Sequence, residues 1–389
     1  MSLRSRELPV FAESVGVCPT MPHILTINAG SSSIRFALFA AGASMVKLMD
    51  EKIERNGSEA VDVMAGRLVQ KLQAKASIGI PDAIGHRVVH GMLHTQPERV
   101  APDLLAELRR ITPFDPDHLP REIALIEALQ KRFPDVPQVA CFDTAFHRQM
   151  PDVATRLPIP RRYTAAGVQR YGFHGLSYTF LLAELARLGD PAAARGRVIL
   201  AHLGSGASMA AVLNGTCIDT SMGFTPAAGL VMGTRSGDLD PGLMSYLAAA
   251  ESMTAAQFAS MVNHESGLIG ISETSADVRD LLEHESVDAR AREALAIFCY
   301  QAKKWIGAYA AALGGLDTLV FAGGIGENSA PVRGRICDGL KFLGVDIDEA
   351  LNERHAPNIS KGTVAVRVIR TDEESVIADL TCRVLKLND

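Results

Sequence analysis

Apolar residues recur along this chain in short runs that stop at glycine, serine or a charged side chain, a pattern that predicts buried strands feeding polar loops. His23 to Ile27, Ala83 to Val89, Pro137 to Phe142, Val198 to Leu203, Leu316 to Ala322 and Val364 to Ile369 are such runs. Ile34 to Phe39, Ser208 to Leu213 and Thr216 to Thr220 follow the same pattern, and Asn214-Gly215 between the last pair supplies the positive φ values of a type I′ hairpin turn. Between the runs, apolar positions at helical spacing predict helices over 58–76, 101–110, 120–132, 176–188, 253–264, 287–313 and 375–386. Strands alternating with helices mean an α/β chain. The sequence strand, small-residue loop, strand occurs at 23–39 and again at 198–213, which suggests a duplicated nucleotide-binding core.

Composition narrows this picture. A chain of 389 residues, 47% apolar and 21% charged, exceeds what one core usually supports, so two domains are expected. The net charge of −5, with no stripe of Lys and Arg interleaved with aromatics, argues against nucleic acid as a partner. Six cysteines form no C-x-x-C pair and read as reduced core thiols of a cytoplasmic protein. No run approaches the ~20 apolar residues that span a bilayer. Residues 1–22 alternate charges with short apolar pieces and read as a frayed N-terminal extension.

The densest chemistry lies between 198 and 242. A buried strand ending at His202 runs into Gly204-Ser205-Gly206, whose backbone amides are free to approach an anion, and Arg235 then stands among Gly229, Gly233, Gly237 and Gly242. Asn28 to Ser33 is a polar, serine-rich turn with Arg35 just beyond, able to hold phosphate oxygens or to be a plain solvated turn. Arg87 stands at a strand end, where a function is favoured; His86 beside it reads equally well as a satisfied core residue. Asp143 follows a buried strand at its C-terminal end, where open α/β sheets place ligands, and is a metal or substrate candidate. His147 reads as a capping or packing residue. In Tyr171-Gly172-Phe173-His174-Gly175 the glycines aim Phe173 and His174 at whatever lies beside the loop, or else leave His174 exposed at a helix start. Gly323 to Asn328 is a glycine-rich strand-to-helix loop suited to adenosine, and Glu373 and Glu374 open the final helix, where an electrostatic cap is the alternative reading. Trp305 reads as core.

Six blocks, TINAGSSSIRFALF, GHRVVHG, FDTAFH, RYGFHGLSY, the 202–242 stretch, and FAGGIGEN with the terminal TDEESVIA, give the sequence a resemblance from His23 to the C-terminus. It resembles the acetate and propionate kinase family, within the group of acetate and sugar kinases, Hsp70 chaperones and actin. The resemblance implies a two-domain, duplicated ribonuclease H-like (actin-like ATPase) fold with ATP in the interdomain cleft. The implied division is 23–147 plus 373–389 for one domain and 148–372 for the other. It implies a homodimer, Mg2+ or Mn2+, and reversible transfer of the ATP γ-phosphoryl to a short carboxylate such as acetate. By position, Asn28 and Glu373 match the metal-associated pair, and Ser31, Ser33 and Arg35 lie near the phosphates. Arg87 and Arg235 match the arginines holding the carboxylate and the transferring phosphoryl; Asp143 and His174 match the acidic residue and the transition-state histidine. His202, Gly204, Ser205 and Gly206 match the phosphate loop, Asp277, Val278 and Arg279 the adenosine side, and Gly324, Ile325, Gly326 and Asn328 the adenine loop. Val89, Phe114, Phe173 and Pro226 would line the acyl pocket.

The chemistry agrees with those roles. A carboxylate is ionised at neutral pH and needs no general base, so catalysis must come from positioning and charge neutralisation, leaving Asp143 to a metal or to orienting an arginine. The chain also departs from the family. Thr112-Pro113-Phe114-Asp115-Pro116 is one residue shorter than the usual A-P-L-H-N-P and lacks its histidine. Ser205, Ala228 and Tyr178 replace the usual asparagine, glutamate and histidine. A propionate or butyrate kinase, a sugar-type kinase with Asp143 as base, and a non-catalytic ATP-binding module stand as alternatives.

Overall fold

Two sheets organise the protein, each built from a three-strand antiparallel meander with parallel strands added beside its first strand. The computed structural model describes residues 21–387 except 31–32, 43, 55–58 and 75–78. Ser31 and all but the last two residues of the N-terminal extension therefore lie outside the described residues.

The first sheet contains β1 (His23–Ala29), β2 (Ser33–Ala40), β3 (Val46–Glu54), β4 (Ala83–Val88), β5 (Glu98–Arg99) and β6 (Gln138–Phe142), in the order β3-β2-β1-β4-β6-β5. β1, β2 and β3 are antiparallel, while β4 runs parallel to β1 and β6 parallel to β4. The second sheet contains β7 (Arg197–Leu203), β8 (Ala207–Leu213), β9 (Thr216–Thr220), β10 (Thr318–Ala322) and β11 (Ala365–Val368), in the order β11-β10-β7-β8-β9. Its senses repeat those of the first sheet: β7, β8 and β9 antiparallel, β10 parallel to β7, β11 parallel to β10. Apart from the short β5, antiparallel to β6 at the edge of the first sheet, the two sheets share order and sense, which makes this a duplicated α/β fold of the ribonuclease H-like, actin-like ATPase class. Every residue of β6 and β10 is buried, as expected for parallel strands covered on both faces.

The structure adjusts some sequence expectations. β1 extends through Asn28 and Ala29, because Asn28 pairs with Arg35 and Ala29 with Ile34, so the turn begins after them. β3 was not legible: its pattern is mostly exposed and charged, as suits an edge strand. The hairpin at Asn214 and Gly215 has φ of 51° and 80°, the positive pair read from the sequence. Trp305 is partly buried against the core and lines a surface cavity of about 690 Å³, so it is not a core residue in full.

The C-terminal helix Glu373–Leu385 crosses back onto β1, β4 and β6. A Cβ at Gly85 of β4 would lie 2.2 Å from Thr381 Oγ1 and 2.6 Å from Ile377 Cγ2, so only glycine lets this helix sit so close. Against the second sheet lies the long helix Ala289–Leu313, capped by the Asp288 carboxylate and ended by Gly314 at φ 70°. Among the described residues no helix is long and apolar enough to cross a membrane, and Cys141, Cys217, Cys299, Cys337 and Cys382 are buried, unpaired thiols.

Candidate active site

Arg87 leaves the end of β4 and Asp143 the end of the neighbouring strand β6, so parallel pairing places the two side by side. Arg87 donates from Nε (2.9 Å) and Nη2 (2.6 Å) to Asp143 Oδ2, and from Nη1 to the Ala29 carbonyl (3.2 Å) and Asn28 Oδ1 (3.4 Å). Asp143 Oδ1 accepts from the Leu176 amide (3.3 Å) at the start of the helix Gly175–Arg187. A Cβ at Gly175 would fall 1.9 Å from the Asp143 carbonyl, which explains the second glycine of the RYGFHG block. Burial by itself would lower the Arg87 pKa, but Asp143, and Glu373 beyond it, raise it and keep the guanidinium charged. Of the two tasks open to Asp143, the geometry gives it the orientation of an arginine.

Asn28 Nδ2 donates to Glu373 Oε2 (2.8 Å) and Glu374 Oε1 (3.1 Å), so the first strand meets the last helix across nearly the whole chain. Asp372, not the glutamates, caps that helix by accepting from the Ser375 amide (3.1 Å). Burial raises the Glu373 pKa, with Arg87 opposing and Asp143 reinforcing the shift; Glu374 is raised by burial and by Glu373. Among the described residues no three His, Cys, Asp or Glu side chains gather as a metal cluster. The pair nonetheless suits magnesium, which usually takes one or two carboxylates and keeps its remaining positions for phosphate and water. A cation there would also relieve the crowding of Asp143, Glu373 and Glu374.

The second sheet contributes His202 from β7 and the loop Gly204 to Gly206. A Cβ at Gly206 would lie 3.4 Å from His174 Nε2 and 3.7 Å from Arg235 Nη1, so that glycine is where the histidine, the arginine and the loop converge. His174 sits at φ 59°, its Nδ1 2.8 Å from Ser208 Oγ and its ring stacked on His202 with centroids 4.3 Å apart. Tyr178 bonds to the same Ser208 hydroxyl. His202 is held in turn by Ser177, which also reaches Thr371. Burial, then His202, Arg87 and Arg235, pushes the His174 pKa well down, so the ring is neutral in this state. Arg235 donates to the Pro226 carbonyl (3.2 Å); burial lowers its pKa, while Asp115 and Asp117 pull it back up.

The remaining residues divide. Gly324 and Asn328 are exposed in the helix Gly323–Asn328, and Gly324 approaches Gly204, bringing the two glycine loops together. Glu327 anchors that helix by accepting from the Gly323 (3.0 Å) and Thr371 (3.1 Å) amides. Arg333, fully buried, donates to the Gly326 and Glu327 carbonyls beneath it. Asp277 caps the helix Val278–His284 and pairs with Arg279, while the Val278 side chain is buried in the core. Arg35 is exposed and Ser33 partly buried on β2, and the Ser33 carbonyl accepts from Gly30.

Val89, Phe114 and Phe173 gather about His90, with Phe114 and Phe173 ring centroids 6.0 and 5.6 Å from it, and Phe114 also meets Phe224. The Val89 amide donates to both oxygens of buried Glu122. His118 bonds to Asp115 (2.8 Å) and not to Arg235 or His174. Sequence reading missed Ser177, Ser208, Glu122, Glu327 and Arg333; only Arg333, a charge within a helix of otherwise ordinary spacing, left a visible signal.

A duplicated sheet with two glycine loops approaching each other, two arginines, a neutral histidine and an aspartate, Asp143, committed to one of the arginines fits a nucleotide-dependent phosphotransferase acting on an already anionic acceptor. Residues 43–379 match the Acetokinase family model. The chain is 42% identical to the acetate kinase of Rhodopseudomonas palustris, over 91% of this chain and 96% of that one. It is 41% identical to the propionate kinase of Citrobacter rodentium, over 92% and 96%. The crystal structure of Porphyromonas gingivalis acetate kinase superposes with a TM-score of 0.81 at 33% identity, covering 94% of this chain and all of that one. The chain belongs to the acetokinase family, ATP-dependent kinases with a carboxyl group as acceptor.

Proposed function

We propose that this enzyme phosphorylates acetate reversibly at the expense of ATP, forming acetyl phosphate. The observation that carries the reading is the meeting of His174 and Arg235 at Gly206 while Asp143 is committed to Arg87. A hydroxyl acceptor needs a free base; an ionised carboxylate does not. Arg87 and Arg235 hold the acid and neutralise the equatorial oxygens of the moving phosphoryl group. If Tyr178 donates to Ser208 and Ser208 to Nδ1, His174 presents Nε2–H to that same group. The adenosine would lie along Gly324, Ile325, Gly326 and Asn328, with Arg279 at its edge and the phosphates over His202 and Gly204 to Gly206. Asn28 and Glu373 would hold Mg2+, which supplies charge neutralisation at the phosphate oxygens when bound.

In this reading residues 23–147 with 373–389 form one lobe, 148–372 the other, and ATP binds between them. The second lobe carries the helix Gly242–Glu251, which is apolar yet buries none of its residues, with Tyr246 67% exposed. Together with the cavity at Leu243 and Trp305, this face supports a homodimer through a second copy of the chain. The test of function is a hydroxylamine trap for acyl phosphate with ATP, Mg2+ and C1 to C4 carboxylates. Hydroxamate formed fastest from acetate supports the reading; ATP binding without hydroxamate from any acid removes it.

A further inference from the structure

His174 stands just before the helix Gly175–Arg187, and Tyr178, one turn further along, donates its backbone N–H to the His174 carbonyl (3.0 Å). The Tyr178 side chain then crosses to β8, where its hydroxyl bonds to Ser208 Oγ. The same Ser208 oxygen lies 2.8 Å from His174 Nδ1. Tyr178 and Ser208 are fully buried, and among the described residues neither hydroxyl has a further hydrogen-bond partner. Nε2 of the same imidazole lies on the side of the phosphate loop, 3.4 Å from where a Cβ on Gly206 would sit.

Counting protons decides the direction of this chain of contacts. Each of the two contacts uses one proton, and the two hydroxyls already supply two. A proton on Nδ1 would be a third, and one of the three would then be stranded in a buried site with nothing to accept it. Nδ1 is therefore bare. Ser208 donates to it, and Tyr178, whose hydroxyl has no other acceptor, donates to Ser208. Burial drives the Tyr178 pKa upward, so the phenol keeps its proton. Burial, His202, Arg87, Arg235 and His147 hold the His174 ring neutral, and its single proton sits on Nε2, toward the phosphate loop.

We propose that Tyr178 and Ser208 are positioning residues for phosphoryl transfer, a one-way relay that locks His174 in the tautomer able to donate from Nε2. The inference rests on the carboxylate-kinase reading for what that N–H does, whereas the tautomer itself is a property of the resting enzyme. Neither residue touches the substrate, and no proton moves along the relay during the reaction. Its work is to keep Nδ1 occupied as an acceptor, so that the ring meets the equatorial oxygens of the phosphoryl group as a donor at every turnover. Tyr178 stands where the family usually has histidine, a side chain that can donate or accept; a phenol with one buried partner has only one way to face.

The experiment reads the tautomer and the rate separately. In 15N spectra of the resting wild type with labelled histidine, the His174 signal being assigned by its loss in His174→Ala, Nε2 should show the shift of a protonated nitrogen and Nδ1 that of a bare one. In Ser208→Ala both should move toward intermediate, exchange-averaged shifts, and kcat for hydroxamate formation should fall by about tenfold with KM for ATP and acetate unchanged. Ser208→Thr, which keeps the hydroxyl, should restore both, and Tyr178→Phe, which frees the Ser208 hydroxyl to turn, should move both the same way by less. A merely structural role would lower the melting temperature and leave the shifts in place. A wild-type His174 protonated on Nδ1 overturns the proposal without any variant, and so does a folded Ser208→Ala with wild-type shifts and kcat. An enzyme that binds ADP but gives no hydroxamate from any acid overturns the kinase reading and with it the catalytic role of the relay, while the spectrum still reports Nε2–H, so the two failures are told apart.

Discussion

One oxygen of Asp143, Oδ2, receives both Nε and Nη2 of Arg87, at 2.9 and 2.6 Å, while its other oxygen holds the Leu176 amide. Three of the carboxylate's roughly four acceptor sites are filled from within the protein, two of them by the arginine, which fixes the guanidinium in a single plane. Arg87→Ala and Arg235→Ala should each lower kcat by about 10²-fold or more, since each removes a preorganised charge where negative charge concentrates. Arg87→Lys should recover little, because an ammonium lacks the planar fork. Asp143→Asn should weaken kcat with no new limb in the pH–rate profile. Steady-state rates of the alanine variants within a few-fold of wild type would remove the arginines from the site.

Phe114 stands where the family usually has leucine and meets His90 and Phe224 at the proposed acyl pocket. A bulkier wall should exclude longer alkyl acids. A methylene that fits contributes about 0.8 kcal/mol, while one that clashes costs about 1–3 kcal/mol. Acetate should outrank propionate and butyrate, and Phe114→Leu should narrow that gap, as measured by kcat/KM across the series. A wild type preferring butyrate, with its ranking unchanged in Phe114→Leu, would show that this ring does not set the pocket.

Gly85→Ala should push the C-terminal helix off β4, because Thr381 and Ile377 occupy the space of the new methyl group. Overpacking of this kind costs about 1–3 kcal/mol, and since the same helix carries Glu373, the KM for Mg-ATP should rise too. Gly307→Ala, where a Cβ meets nothing within 4 Å, is the control and should stabilise by about 0.5–1 kcal/mol. Thermal melts that rank both variants equal to wild type would contradict the tight helix–sheet contact.

Burial holds His86, His90, His147 and His202 to pKa values of about 4, against an ordinary 6.5. The unfolded chain binds their protons first on acidification. The stability they contribute is therefore fully present above pH 6.5 and lost as pH falls toward 4. For the enclosed pair His86 and His147 this is on the order of 3 kcal/mol each. Glu122, Asp219, Glu373 and Glu374, whose pKa values burial raises, run the other way, losing their contribution as pH rises above the ordinary carboxyl range. Urea midpoints should be lower at pH 5 than at pH 7.5; equal midpoints would mean these rings are not held neutral.

Tyr246 and its helix should lie at the contact between two copies. Tyr246→Glu should shift sedimentation from dimer to monomer with the fold intact by circular dichroism. A wild type that sediments as a monomer at all concentrations would discard that assignment.

The sequence by itself determined the local elements. Runs such as Val198 to Leu203 must be buried, Asn214-Gly215 must turn, and Gly204 to Gly206 must leave amides free, because each property depends on neighbours a few residues away. Repetition of one such pattern indicated the duplication. β3 escaped notice because an exposed edge carries little hydrophobic signal. What only the tertiary structure decided was pairing between distant residues. Sheet register set Arg87 beside Asp143, and return of the last helix to the first sheet set Asn28 against Glu373, 345 residues away. It also decided which polar groups are satisfied: Asp277 is a cap, Val278 is core, and His90 and Asp115 are buried with one side-chain atom each unpaired. No local pattern encodes these facts, because hydrogen-bond satisfaction in a buried site depends on every chain segment that crosses it.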